Sequence, residues 1–190
     1  RITKFMDDDG VDVSAVRLSD DGTMAVFVRG SGQNRVGWVA NPSHDPGGGE
    51  RAIWAAKTDG SGAWRLGVLT GNEVGGGRGG GGPELSPNGK YVVFAKDGQL
   101  YRASTARAAA AAMDTGGVPF IKAWGRQGSA QWSPDGSRLA YASDFNVATM
   151  NFDGGAKTVF GPGTFPRWSP DGPGSRVAFV TATGIQVANA

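Results

Sequence analysis

Cysteine is absent from the 190 residues, and histidine occurs once, as His44. Without cysteine the chain can form neither a disulfide nor a thiolate zinc site. That leaves the compartment open, because many exported proteins also lack cysteine. No apolar run is long enough to cross a bilayer, and no signal peptide stands at the start. The chain opens on Arg1 instead of methionine, so a processed chain or a fragment is expected, with room for a leader upstream. Charge of one sign is also scarce: Lys+Arg 19 and Asp+Glu 17 leave a net +2, scattered without a stripe. Nucleic-acid binding normally needs such a stripe, so no nucleic acid is expected as a partner.

Glycine is plentiful, at 33 residues, and part of it belongs to a repeat. Trp132-Ser133-Pro134-Asp135-Gly136, followed by Arg138-Leu139-Ala140-Tyr141-Ala142, returns as Trp168-Ser169-Pro170-Asp171-Gly172 with Arg176-Val177-Ala178-Phe179-Val180. Weaker copies are Leu18-Ser19-Asp20-Asp21-Gly22 with Met24 to Val28, and Leu85-Ser86-Pro87-Asn88-Gly89 with Tyr91 to Ala95. The residue types explain the unit. Proline presets φ, Asp or Asn bonds its own backbone, and glycine takes the left-handed conformation without steric cost. Together they suit a hairpin whose type I turn ends in a glycine bulge. The apolar run that follows does not alternate, so it reads as a strand buried on both faces. Such a strand needs a sheet on either side. Radial repetition of small antiparallel sheets supplies that arrangement.

The expected class is therefore all-β: a partial β-propeller of about three and a half four-stranded antiparallel blades. The turn glycines at 22, 89, 136 and 172 place the blades at about 14–72, 83–126, 129–161 and 164–190, the last without its final strand. Closed propellers take about four to eight blades, so part of a larger ring is expected. Two stretches stand outside the pattern: an insertion at 31–50 and a Gly-rich linker at 75–82. The linker lacks the Gly-Lys-Ser/Thr ending of a phosphate-binding loop. Asp7-Asp8-Asp9-Gly10 with Asp12 lacks the alternating ligands and late Glu of a calcium loop, and reads as an acidic turn. The alanines at 108–112 are too few for a stable helix alone.

These repeats resemble the PD40 type of WD40-like propeller repeat, found in the periplasmic Tol-Pal propeller and in N-terminal propellers of the prolyl oligopeptidase family of serine peptidases, which includes dipeptidyl peptidase IV-like and acylaminoacyl peptidase-like members. Asn41-Pro42-Ser43-His44-Asp45-Pro46, the stretch Glu50 to Trp54, and Val28-Arg29-Gly30 look like bacterial members of that peptidase family. The resemblance implies a non-catalytic propeller portion of such a peptidase, gating and shaping the peptide-substrate cavity of an α/β-hydrolase domain expected downstream. It would place the chain in the periplasm or cytoplasm of a bacterium. The alternative is a Tol-Pal-type module for protein–protein interaction without catalysis.

No catalytic, cofactor-binding or metal residue is carried over. No serine stands in a G-x-S-x-G elbow. Ser43-His44-Asp45 are neighbours in sequence and cannot converge as a catalytic relay. No cofactor is expected. Connections alternate between the two ends of an up-and-down blade, so the insertion at 31–50 and the linker at 75–82 are expected on one face, opposite the S-P-D-G turns. That face is expected to meet the substrate or catalytic domain.

Overall fold

One set of bonds builds each S-x-[D/N]-G turn. Gly22, Gly89 and Gly136 adopt φ of 67°, 69° and 70°, in the left-handed region that glycine enters freely. Their amides donate to the carbonyls of Ser19, Ser86 and Ser133 at 2.9, 2.8 and 2.8 Å. The serine hydroxyl donates to the turn carboxylate or amide, Ser19 to Asp21 at 2.6 Å, Ser86 to Asn88 at 2.8 Å and Ser133 to Asp135 at 2.6 Å. The same hydroxyl accepts the amide that opens the next strand, from Met24, Tyr91 and Arg138 at 3.0, 3.0 and 2.9 Å. Ser86 and Ser133 are almost wholly buried, so these polar groups must be paired.

The computed structural model describes residues 2–3, 13–29, 51–69, 82–96, 99–107, 119–121, 130–170 and 176–190. They form fifteen strands in four antiparallel sheets, and no α-helix occurs among them. The first sheet holds β1 (Val13–Leu18), β2 (Met24–Arg29), β3 (Arg51–Lys57) and β4 (Ala63–Leu69). The second holds β5 (Glu84–Leu85), β6 (Tyr91–Lys96), β7 (Gln99–Ser104) and β8 (Pro119–Ile121). The third holds β9 (Ala130–Trp132), β10 (Arg138–Ser143), β11 (Asn146–Asn151) and β12 (Thr158–Pro162). The fourth has three strands, β13 (Thr164–Trp168), β14 (Arg176–Thr181) and β15 (Gly184–Asn189). In every sheet, strands adjacent in sequence are adjacent in space.

Consecutive sheets stack face to face through three apolar clusters. Val26, Val28 and Ile53 of the first sheet meet Val92 and Phe94 of the second. Val93 and Leu100, on the second sheet's other face, meet Leu139 and Tyr141 of the third. Ala140 and Val147 meet Val177 and Phe179 of the fourth. Alternation along one strand thus serves two interfaces at once: the aromatic looks back to the preceding sheet and its small neighbour looks forward. Fully burying a Val, Ile, Leu or Phe of these clusters contributes about 1.5–3 kcal/mol. Arg102 adds a clasp between the second and third sheets, its guanidinium 4.0 Å from the Phe152 ring centroid and bonded to the Phe152 carbonyl at 3.1 Å.

The double burial expected of the strand after each turn holds for β2 and β10, and changes in β14. Pairing puts Val180 opposite Ile185 as Ala142 stands opposite Val147. Ala142 and Val147 are buried, whereas Val180, Ile185 and Val187 are 44%, 76% and 61% exposed. The difference is physical: no described sheet lies over the far face of β14 and β15. A second difference is the β10–β11 hairpin, where Asp144 and Phe145 both take positive φ, 47° and 63°, without a glycine.

Candidate functional site

The first strands of consecutive sheets lie against one another, and their tryptophans tie them together. The Trp132 indole Nε1 donates to the Glu84 carbonyl at 3.1 Å, and the Trp168 indole to the Gln131 carbonyl at 3.2 Å. Glu84 and Gln131 each stand one residue before the repeat's Trp or Leu position. At the first junction that position holds Leu85, which cannot donate. There Arg17 Nε instead reaches both Glu84 carboxylate oxygens at 3.0 Å. This bond raises the Arg17 pKa, against the lowering effect of burial. The turns themselves stack: the Asp20 amide donates to the Pro87 carbonyl at 2.9 Å, and Gly136 sits over the Pro87 ring.

Two clefts lined by described residues lie on the rim that carries the S-x-[D/N]-G turns. One, of about 310 Å³, lies along the first strands. It is lined by Leu85, Trp132 and Trp168, by the turn prolines Pro87, Pro134 and Pro170, and by Asp20, Glu84, Gln131 and Ser133. The other, of about 560 Å³, opens between the first and second sheets, and Lys57, Lys90, Arg107, Trp64 and Tyr91 are among its lining residues. The Trp64 indole donates to the Thr105 carbonyl at 3.1 Å across that junction.

Ser19, Asp21, Ser133 and Asp135 are committed to their turns. The Ser19 hydroxyl and the Thr23 amide and hydroxyl all bond Asp21 and hold its pKa below the usual carboxylate value. At Asp135 burial pushes upward, but bonds from the Ser133 and Ser137 hydroxyls and the Ser137 amide outweigh it and leave the pKa lowered. Ser133 is fully buried, with its oxygen occupied by Asp135 and by the Arg138 amide. Its hydroxyl hydrogen and one oxygen lone pair are therefore spent on the turn. Among the described residues no group of three His, Cys, Asp or Glu could hold a metal ion. No described helix is long and apolar enough to cross a membrane.

The segments singled out in the sequence are mostly elsewhere. Ser43-His44-Asp45, the insertion 31–50, the acidic run at 7–12, the alanines 108–112 and the linker up to residue 81 lie outside the described residues. Their flanking strand ends are described. Arg29 pairs with Ala52, and Arg51 with Leu69, so the described chain breaks off at 29 and 69 at the same end of the first sheet's strands. Both clefts lie on the opposite rim. Sequence reasoning gave that rim only a turn-forming role; its prolines and tryptophans were the available signal.

Solved structures similar to this chain share its fold. TolB from Acinetobacter baumannii aligns with 93% of the chain at a TM-score of 0.58 and 18% identity. A structure named for TolB from Agrobacterium tumefaciens aligns with 90% at 0.53 and 17% identity. The gluconolactonase XC5397 from Xanthomonas campestris aligns with 92% at 0.54 and 14% identity. The fold is a β-propeller. The four sheets are its blades, and the alignments span 40%, 59% and 55% of those three proteins. One neighbour is named as an enzyme and two are not, so likeness at this level conveys the propeller fold and no activity. No protein-family model matches the chain, and no curated protein matches it.

Proposed function

We propose that this chain is a non-catalytic propeller module that docks a protein surface on its S-P-D-G rim, a Tol-Pal-type role in protein–protein interaction. The observation that carries the reading is the cleft along the first strands. Three turn prolines and two tryptophans, the latter tied by their indole N–H groups, line it. Such side chains lose little freedom when a partner covers them, which keeps the entropic cost of binding low. The Ser133 hydroxyl and the Glu84 carboxylate beside them are engaged in a turn and an ion pair, which suits docking and not bond making. The likeness to two TolB-named propellers agrees with this.

The test is site-specific photocrosslinking. Benzoylphenylalanine at Gln131, in the cleft, should capture a discrete protein in the native host, and the same group at Val159 on the exposed strand β12 should not. No adduct from position 131, or the same adducts from both positions, would overturn the reading.

A second reading rests on the resemblance of the stretch from Asn41 to Trp54 to prolyl oligopeptidase-family propellers. There the partner surface is a hydrolase domain of the same polypeptide, and the module gates peptide entry. A full-length reading frame with a G-x-S-x-G elbow downstream, and adducts formed within that polypeptide, would favour it. A reading frame without the elbow would eliminate it.

A further inference from the structure

Backbone bonds fix how the blades superpose at the rim. The amides of Thr58, Thr105 and Phe152 donate to the carbonyls of Thr23, Lys90 and Ser137, so these pairs are equivalent in blades one, two and three. Blade one then has Asp21 and Thr23 in its turn, and Asp59-Gly60 directly after Thr58. Blade three has Asp135 and Ser137, and Asp153-Gly154 directly after Phe152. Blade two departs at all four places: Asn88, Lys90, Ala106 and Arg107. Both carboxylates are gone and two cations have come in.

All four departures line the 560 Å³ cleft between blades one and two, where Lys57 joins them. No carboxylate is among the described residues that line it. The turn does not need this chemistry. Asn88 Oδ1 accepts the Ser86 hydroxyl at 2.8 Å and the Lys90 amide at 3.0 Å, the bonds Asp21 and Asp135 accept in their own turns. Asparagine therefore keeps the fold and removes only the charge. Asp21 and Asp59 pull on Lys57 from blade one, while Lys90 and Arg107 bring their charge from blade two.

We infer that this cleft binds an acidic peptide segment of a protein partner, its carboxylates meeting Lys57, Lys90 and Arg107 and its backbone lying against Trp64. The inference rests on the protein-docking reading above and gives the partner a charge. The cleft is open at the rim and within the size range of ligand sites, roughly 300–1,000 Å³. Three cations of one sign raise the on-rate for an anionic segment and make binding fall with salt.

The test uses a fluorescein-labelled octapeptide rich in Glu and Asp, and its Gln/Asn isostere, in fluorescence anisotropy with the 190-residue chain. The acidic peptide should bind at least tenfold tighter than the isostere at low salt and weaken as salt rises. The variant N88D/K90T/A106D/R107G gives blade two the residues blade one already holds at these positions. It should keep its unfolding transition and lose the tenfold preference. A second variant, K90Q/R107Q, removes the two charges alone and should lose the preference too, which keeps the test decisive if the fourfold variant unfolds. Equal binding of the two peptides, or an undiminished preference in both variants, overturns the inference. So does tight binding of tripolyphosphate without binding of the acidic peptide, which would assign the cleft to a small anion. The Gln131 crosslink reads the docking module separately: an adduct there with no peptide preference would sink this inference alone.

Discussion

The Trp132 indole N–H meets the Glu84 carbonyl at 3.1 Å, and the repeat places Trp168 on Gln131 in the same way. Each bond runs from the first strand of one blade to the first strand of the blade before it. Replacing Trp132 with Phe keeps an aromatic ring and removes the donor. The expected loss is about 1–3 kcal/mol, because a carbonyl desolvated by its neighbours is left unpaired. Urea denaturation of W132F reads this directly, and an unchanged midpoint would show that the bond adds nothing.

Gly82 and Ala15 stand three residues before Leu85 and Leu18 in their repeats. A Cβ on Gly82 would collide with the Ala15 Cβ, and Ala15 itself has φ of 53°. G82A should destabilise by about 1–3 kcal/mol through overpacking. A15G should stabilise by about 1 kcal/mol by relieving the left-handed conformation. In the double variant the penalty of G82A should largely vanish. A thermodynamic cycle on the two sites measures that coupling, and strict additivity would refute the close approach.

The Tyr141 hydroxyl is buried and has no hydrogen-bond partner among the described residues. Desolvation raises its pKa to about 12. A phenol whose folded pKa is raised favours folding below the unfolded value near 10, and that contribution is lost as pH climbs toward 12. Y141F should be neutral or stabilising at pH 7, since it removes an unpaired polar atom. It should also flatten the alkaline limb of the stability curve between about pH 10 and 12. A Y141F variant weakened by several kcal/mol at pH 7 would mean the hydroxyl is bonded after all.

Asp21 and Asp135 are held below the ordinary carboxylate pKa by their turn bonds. Their stabilisation is full above the unfolded value near 4 and drains away as pH falls through the folded value. The Asn88 turn keeps the serine hydroxyl and backbone amide bonds without a titrating group. D135N should therefore match the parent within about 1 kcal/mol at pH 7 and lose less stability on acidification below pH 4. Parallel acid curves for the two proteins would contradict the assignment.

Ile185 and Val187 are exposed on a sheet face whose counterparts in blade three, Val147 and Thr149, are fully buried. Uncovered sheet faces and edges promote association. I185T/V187T should lower self-association in sedimentation velocity while leaving the unfolding midpoint within about 1 kcal/mol. Unchanged association would locate the sticky surface elsewhere.

The hairpins and the stacking were legible in the sequence because turn chemistry is local. Ser, Asp or Asn, and Gly sit at fixed offsets, and the strand that follows is apolar at every position. The Asp144-Phe145 turn and the positive φ of Ala15 and Phe165 were not legible, because none of these positions holds a glycine to announce the conformation. The cationic cleft was half legible. Asn88 and Lys90 lie within the repeat, but Ala106 and Arg107 align with Asp59 and Gly60 only once the Thr58 and Thr105 bonds fix the register. The tryptophan bonds were hidden for another reason: they join first strands of different blades, which turn signals cannot place.

The tryptophan bonds between first strands and the aromatics of the strand after each turn share a direction, which gives the chain an arrow in time. Along the first strands the later blade supplies the indole and the earlier blade the carbonyl, and Phe94, Tyr141 and Phe179 each look back to the blade before. A ribosome makes the chain in that same order, at about 5–20 residues per second. The newest blade on the nascent chain is therefore always the one with its forward face bare, and the next blade brings the groups that seal it. Folding can then keep pace with synthesis, with one unsealed surface exposed at any moment.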